Sequence, residues 1–96
     1  MKLLQVILYF EYAEEVESIL DRNQVVNYVR HSMIEGKDKY GKRRGTQVFP
    51  GRFSVIHAQV EEEQLASIFS DLSEFKKLRK AHEHLQALVL PIEKIL

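Results

Sequence analysis

What most constrains this chain is the order in which two hydrophobic periodicities alternate along it. Leu3 to Phe10 is a continuous apolar run of strand length, broken only by Gln5, as expected of a strand covered on at least one face. Ala13, Val16, Ile19 and Leu20 then recur at helical spacing. Glu14, Glu15 and Glu17 occupy the early turns, where the helix dipole favours acids, and Asp21-Arg22-Asn23 closes the helix. Val25 to Glu35 reads as a second strand and Gly36 to Gly51 as a turn-rich stretch. Phe53 to Val60 is a third strand, in which Ile56, Ala58 and Val60 alternate with Val55, His57 and Gln59. Glu61, Glu62 and Glu63 open a second helix carrying Leu65, Ile68, Phe69 and Leu72. Lys76, Lys77, Arg79 and Lys80 crowd its later part or a short helix beyond it. Leu85 to Leu90 forms the last strand, and Pro91, which has no N–H for a ladder, belongs at an edge or a strand end.

The order β, α, β, β, α, β is the split βαβ arrangement of ferredoxin-like α+β domains, a four-stranded antiparallel sheet with two helices on one face. At 96 residues the whole chain, 1–96, is expected to form a single domain. A chain this short buries a modest fraction of its surface, so self-association is a natural source of further stability. Fourteen basic residues balance fourteen acidic ones, and nothing in the net charge points to nucleic acid or an anionic membrane. Tyr9, Tyr12, Tyr28 and Tyr40 form no aromatic–basic stripe of the kind that binds single strands, so no nucleic-acid partner is expected. The absence of cysteine excludes disulfides, thiolate metal sites and a cysteine nucleophile. The serines sit in no nucleophile elbow and the carboxylates are spread along helix faces, so no enzyme activity is expected. The opening run meets Glu11 and Glu14 too soon for a signal peptide, and no apolar stretch approaches the roughly 18 residues of a membrane span. A cytoplasmic protein is expected, meeting a membrane only through a partner protein.

Two features carry candidate chemistry. Lys37, Lys39, Lys42, Arg43, Arg44 and Arg52 are interspersed with Gly36, Gly41, Gly45 and Gly51. Glycines let backbone approach a ligand, and arginines present forked donors matched to phosphate or carboxylate. This loop reads either as an anion or partner contact or as a solvated hairpin tip. The histidines fall in two pairs. In a hairpin symmetric about its loop, His31 lies directly across from His57, with Ile34 on the other face beside Ile56 and Ala58. His82 and His84 are spaced so that on a strand both rings point the same way. The His31 and His57 pair reads either as a divalent-metal or pH-sensitive site or as partly buried, hydrogen-bonded histidines, and His82 with His84 either as a chelating pair or as a polar connection between elements.

The segment from Gly41 through Lys42, Arg43, Arg44, Gly45, Thr46, Gln47, Val48, Phe49 and Pro50 to Gly51 resembles the start of the long T-loop of PII signal-transduction proteins. Val89-Leu90-Pro91-Ile92-Glu93-Lys94-Ile95 resembles the family's final strand and following turn, and Met1-Lys2-Leu3 its opening. The three matches fall in the family's order, so the chain looks like a divergent PII-like member. Arg43 stands where the family has an effector-binding glutamine and Phe49 where it has a modifiable tyrosine, and the loop is shorter. Arg79-Lys80-Ala81-His82-Glu83-His84 replaces a glycine-rich phosphate loop. The resemblance implies a homotrimer with effector sites between subunits, where a small anionic ligand such as a nucleotide biases the loop and so gates an unidentified protein target. It implies anion contacts from Lys42, Arg43 and Arg44, shaped by Gly41 and Gly45, with Arg79 and Lys80 as the nearest second contribution. The competing reading is a divalent-metal-responsive protein of the same fold, using His31 with His57 or His82 with His84, or a ligand-free interaction module.

Overall fold

The computed structural model describes residues 1–39 and 52–96, together with the backbone of 41–43. Six strands and two helices follow one another as β1 (Lys2–Tyr9), α1 (Ala13–Arg22), β2 (Asn27–Ile34), β3 (Gly36–Asp38), β4 (Gly41–Arg43), β5 (Phe53–Val60), α2 (Glu62–Leu78) and β6 (Gln86–Pro91). Short 3-10 turns, Phe10–Tyr12 and Lys80–His82, precede α1 and follow α2. The main sheet has the order β2-β5-β1-β6 with every pairing antiparallel, which is the ferredoxin-like arrangement the element order predicts. Pro91 ends β6, an edge strand, where its missing N–H costs no ladder bond. The stretch expected to be turn-rich instead opens with a two-stranded ribbon, Gly36–Asp38 against Gly41–Arg43. Among the described residues no helix is long and apolar enough to cross a membrane.

Both helices pack on one face of the sheet. Leu4, Val6 and Leu8 of β1 and Ile56, Ala58 and Val60 of β5 are buried against Val16, Ile19 and Leu20 of α1 and Ile68, Leu72 and Phe75 of α2. Each fully buried aliphatic side chain of this kind contributes about 1.5–3 kcal/mol. Phe69, expected on the apolar side of α2, remains 38% exposed and faces a groove against β6 instead. The helices are joined end to end by polar stitching. Gln24 closes α1 in the left-handed region (φ 63°), with Gln24 N–H donating to Asp21 O and Val25 N–H to Leu20 O, the paired bonds of a Schellman motif. Gln64 completes a capping box with Glu61 and donates through Nε2 to the carbonyls of Asn23 and Gln24, at 3.1 Å each. β2 is tied down by Arg30–Glu17 (2.8 Å) and by Tyr28, whose hydroxyl donates to Asp21. Burial, and then the Asp21 carboxylate, raise the Tyr28 phenol above its ordinary pKa.

The register of β2 corrects the symmetric-hairpin expectation. His57 pairs with Val29 and His31 with Val55, so the two histidines are diagonal rather than direct partners. The pairing shifts between His31 and Ile34, where Met33 takes φ 60° in an irregular step. A displacement by an even number of residues keeps both rings on the same face. The irregularity has a further effect, because it sets Ile34 opposite Phe53. Ile34 is therefore absent from the core that Ile56 and Ala58 join, and is 36% exposed on the opposite face.

Candidate functional site

The base of the loop, the end of β1 and the turn before β6 meet at Tyr9. Its backbone N–H donates to His84 Nε2 (2.8 Å), its ring stacks on His84 (centres 3.5 Å apart, 8° between planes), and its hydroxyl donates to Asp38 Oδ2 (2.8 Å). The other nitrogen of His84, Nδ1, donates to Ala81 O at 2.7 Å. A nitrogen that accepts from an amide N–H carries no proton, so His84 is held as the neutral Nδ1–H tautomer. Phe53 lies beside Tyr9 with ring centres 5.5 Å apart. Gly36 is pressed against Phe53 so closely that a Cβ there would fall 2.7 Å from the ring. Only glycine lets β3 start at this point.

Beside this knot opens a cleft of about 500 Å³. Ile7, Ile34, Phe53 and Val55 give it apolar walls, while Glu35, Lys37, Lys76 and Glu83 place charges around it. A second hollow of about 450 Å³ shares Lys76 and Glu83 with the first and is also lined by Ser73, Lys77, Arg79 and Lys80. Aliphatic walls suit a flat, weakly polar ring, and four cations against one acid in the adjoining hollow suit phosphate or carboxylate.

The structure disperses some of the residues that the sequence singled out and unites others. Arg79 and Lys80 are exposed in the second hollow, next to Lys76, and neither makes an ion pair within the described residues. Gly41, Lys42 and Arg43 form β4, where Gly41 pairs with Asp38, Lys42 with Lys37 and Arg43 with Gly36. Arg44, Gly45 and Phe49 lie outside the described residues. His82 and His84 are on a 3-10 turn and the bend after it, not on a strand, and both are buried. His82 stacks on Phe75 (4.0 Å, 5°), meets Tyr12 edge-on (4.7 Å), and donates from Nδ1 to Phe75 O at 2.8 Å. Its Nε2 is buried without a hydrogen-bond partner. Both imidazoles are therefore used to lock the turn between α2 and β6. Among the described residues no three His, Asp or Glu side chains are grouped so as to hold a metal. His31 and His57 are adjacent, with ring centres 5.5 Å apart, on the sheet face that carries no helix.

Sequence reasoning missed Tyr9, Ile7 and Ile34 as neighbours of a site. Tyr9 read as the end of an apolar run, and nothing local to it announces Asp38 or His84. The signals available were Lys37 and Lys39 of the basic loop, Lys76 late in α2 and the segment 79–84.

No family model and no curated protein matches the chain. Solved structures do. CPII, a nitrogen regulatory PII-like protein from Thiomonas intermedia K12 bound to ADP, AMP and bicarbonate, superposes with a TM-score of 0.75 at 23% identity, over 92% of this chain and 81% of that one. CPII bound to ADP and bicarbonate gives 0.74 at 24% identity over the same shares. A PII-like signalling protein from Thermus thermophilus gives 0.66 at 16% identity, over 92% and 82%. This chain has the fold of PII-like proteins.

Proposed function

We propose that this chain is a PII-like regulatory protein, non-enzymatic and cytoplasmic, that binds an adenine nucleotide in the cleft at the base of its basic loop. The observation that carries the reading is the knot at Tyr9, which links Asp38 of the loop base to His84 of the cleft wall through one side chain. The base of the nucleotide lies against Ile7, Ile34 and Val55, and its phosphates run toward Lys76, Arg79 and Lys80. Any ligand that moves Lys37 or Glu83 then strains the Tyr9 contacts, and β3 carries that displacement into the loop. Lys42, Arg43 and Arg44, with Gly41 and Gly45 setting the backbone, supply the loop's anion contacts and its surface for a protein target. A ligand that binds one loop arrangement better than another shifts the population by its difference in affinity. Three copies associate through the helix-free sheet face, where Val29, Leu88 and Leu90 are 57%, 46% and 44% exposed. The ADP-, AMP- and bicarbonate-bound CPII structures support this choice of ligand class.

Calorimetry and thermal shift with AMP, ADP and ATP, each with and without bicarbonate, test the reading. A nucleotide at a hundred times its Kd is expected to stabilise the fold by about 2.7 kcal/mol. Lys76→Ala and the double change Arg79→Ala with Lys80→Ala are expected to weaken binding about tenfold or more without lowering the melting temperature of the free protein. No heat and no shift at millimolar nucleotide would sink the proposal, as would affinity untouched by either variant.

A further inference from the structure

We infer that His31 and His57 form part of a transition-metal site that the neighbouring copies of this chain complete. With metal–nitrogen bonds of about 2.0–2.1 Å, two imidazoles on one tetrahedral ion have ring centres about 5 Å apart. His31 and His57 stand at 5.5 Å with planes at 72°, close to the separation of two imidazoles that share one ion. The hydrogen bonding of His57 is an independent indication. Its Nε2 lies 3.0 Å from Gln5 Oε1, an acceptor, so Nε2 carries the proton and Nδ1 keeps the lone pair. A ligating imidazole commonly has this arrangement, with its second nitrogen donating to an oxygen that fixes tautomer and orientation.

Two ligands do not complete a zinc site, and no third His, Asp or Glu joins them among the described residues. The missing ligands come from neighbouring copies. The pair sits on the helix-free face, flanked by Val29 and Val55, and that face is continuous with Ile7, Leu88 and Leu90. Copies closed around a rotation axis that passes by this face each bring the same two imidazoles to that axis, because a symmetric assembly repeats its ligands. Imidazole donors suit Zn²⁺, Ni²⁺ and Cu²⁺, and among the described residues no carboxylate joins the pair to favour Mg²⁺ or Ca²⁺. The inference rests on the self-association proposed above, but not on nucleotide binding.

Metal-free protein prepared in EDTA is titrated with zinc chloride and with nickel chloride by calorimetry, and its mass is followed by light scattering across a dilution series. Zinc is expected to bind, and to hold the assembly together at dilutions where the EDTA-treated protein dissociates. His31→Ala and His57→Ala each abolish that effect, and Gln5→Ala weakens zinc binding about 10–100-fold. His31 is exposed on an edge strand, so its alanine variant provides a test that does not depend on preserving the core. Zinc bound equally by the His31→Ala variant overturns the inference, and so does zinc that leaves the dilution curve unchanged. An assembly that is stable in EDTA but takes up no zinc overturns the metal site and leaves the self-association standing. Protein that stays monomeric in EDTA and with zinc overturns both.

Discussion

Replacing His84 with alanine tests the knot at the cleft most directly. The imidazole is 9% exposed and does three things in this structure: it accepts the Tyr9 amide, stacks on the Tyr9 ring and donates to Ala81 O. Alanine leaves the Tyr9 N–H without its acceptor, which costs about 1–3 kcal/mol for a buried donor. Loss of the ring pair costs about 0.5–1.5 kcal/mol more. The sum is about 1.5–4.5 kcal/mol. At about 4–8 °C per kcal/mol for a domain near this size, the melting temperature should fall by about 6–36 °C. Differential scanning calorimetry of wild type and variant, both in EDTA, measures the fall. His31→Ala, made on an exposed strand edge, is the reference and should move the melting temperature by no more than a degree or two. A His84→Ala variant that melts with the reference would show that these contacts do not hold the end of β1, and the proposed path from cleft to loop would lose its central link.

Substitutions at three other positions probe the frame of the fold. Gly36→Ala drives a methyl into the Phe53 ring and should destabilise by about 1–3 kcal/mol; unchanged urea midpoints would contradict so close a contact. Gln64→Ala removes the reciprocal bond to Glu61 and both bonds to the end of α1, for an expected loss of about 1–2 kcal/mol. Gln24→Gly relieves a left-handed residue that carries a Cβ and should stabilise by about 0.5–1 kcal/mol after the unfolded-state entropy of glycine is subtracted. A lower melting temperature for Gln24→Gly would mean that the glutamine side chain contributes something the backbone account omits.

Periodicity made the elements legible. β5 runs from Phe53 to Val60 as the alternation of Ile56, Ala58 and Val60 indicates, and α1 from Ala13 to Arg22 as its apolar spacing and terminal charges indicate. Side-chain alternation and helical spacing are properties of the local backbone, so residues a few positions apart report them. The same locality explains the failures. The irregular step at Met33 sits in an unremarkable Ser32-Met33-Ile34 stretch with no glycine to mark it, yet it shifts the register of β2 and carries Ile34 out of the core. Phe69 has helical spacing suited to the core, but its distance from the sheet depends on how α2 lies over β6.

The order of elements, the helix-covered face of the sheet and the basic character of the loop were determined by the sequence alone, because each follows from neighbours along the chain. The cleft was decided only in three dimensions. Tyr9, Asp38 and His84 are 29 and 75 residues apart in their hydrogen-bonded pairs, and they meet because antiparallel pairing returns β6 to the side of β1 and the β3 ribbon to its end. The histidines divide the same way. Their spacing marked two pairs, but folding used His82 and His84 to lock a buried turn, while His31 and His57 were brought together on an open face with Gln5 holding the His57 tautomer. Which nitrogen keeps a lone pair depends on the partner that tertiary structure brings to the other nitrogen, and no spacing along the chain encodes it.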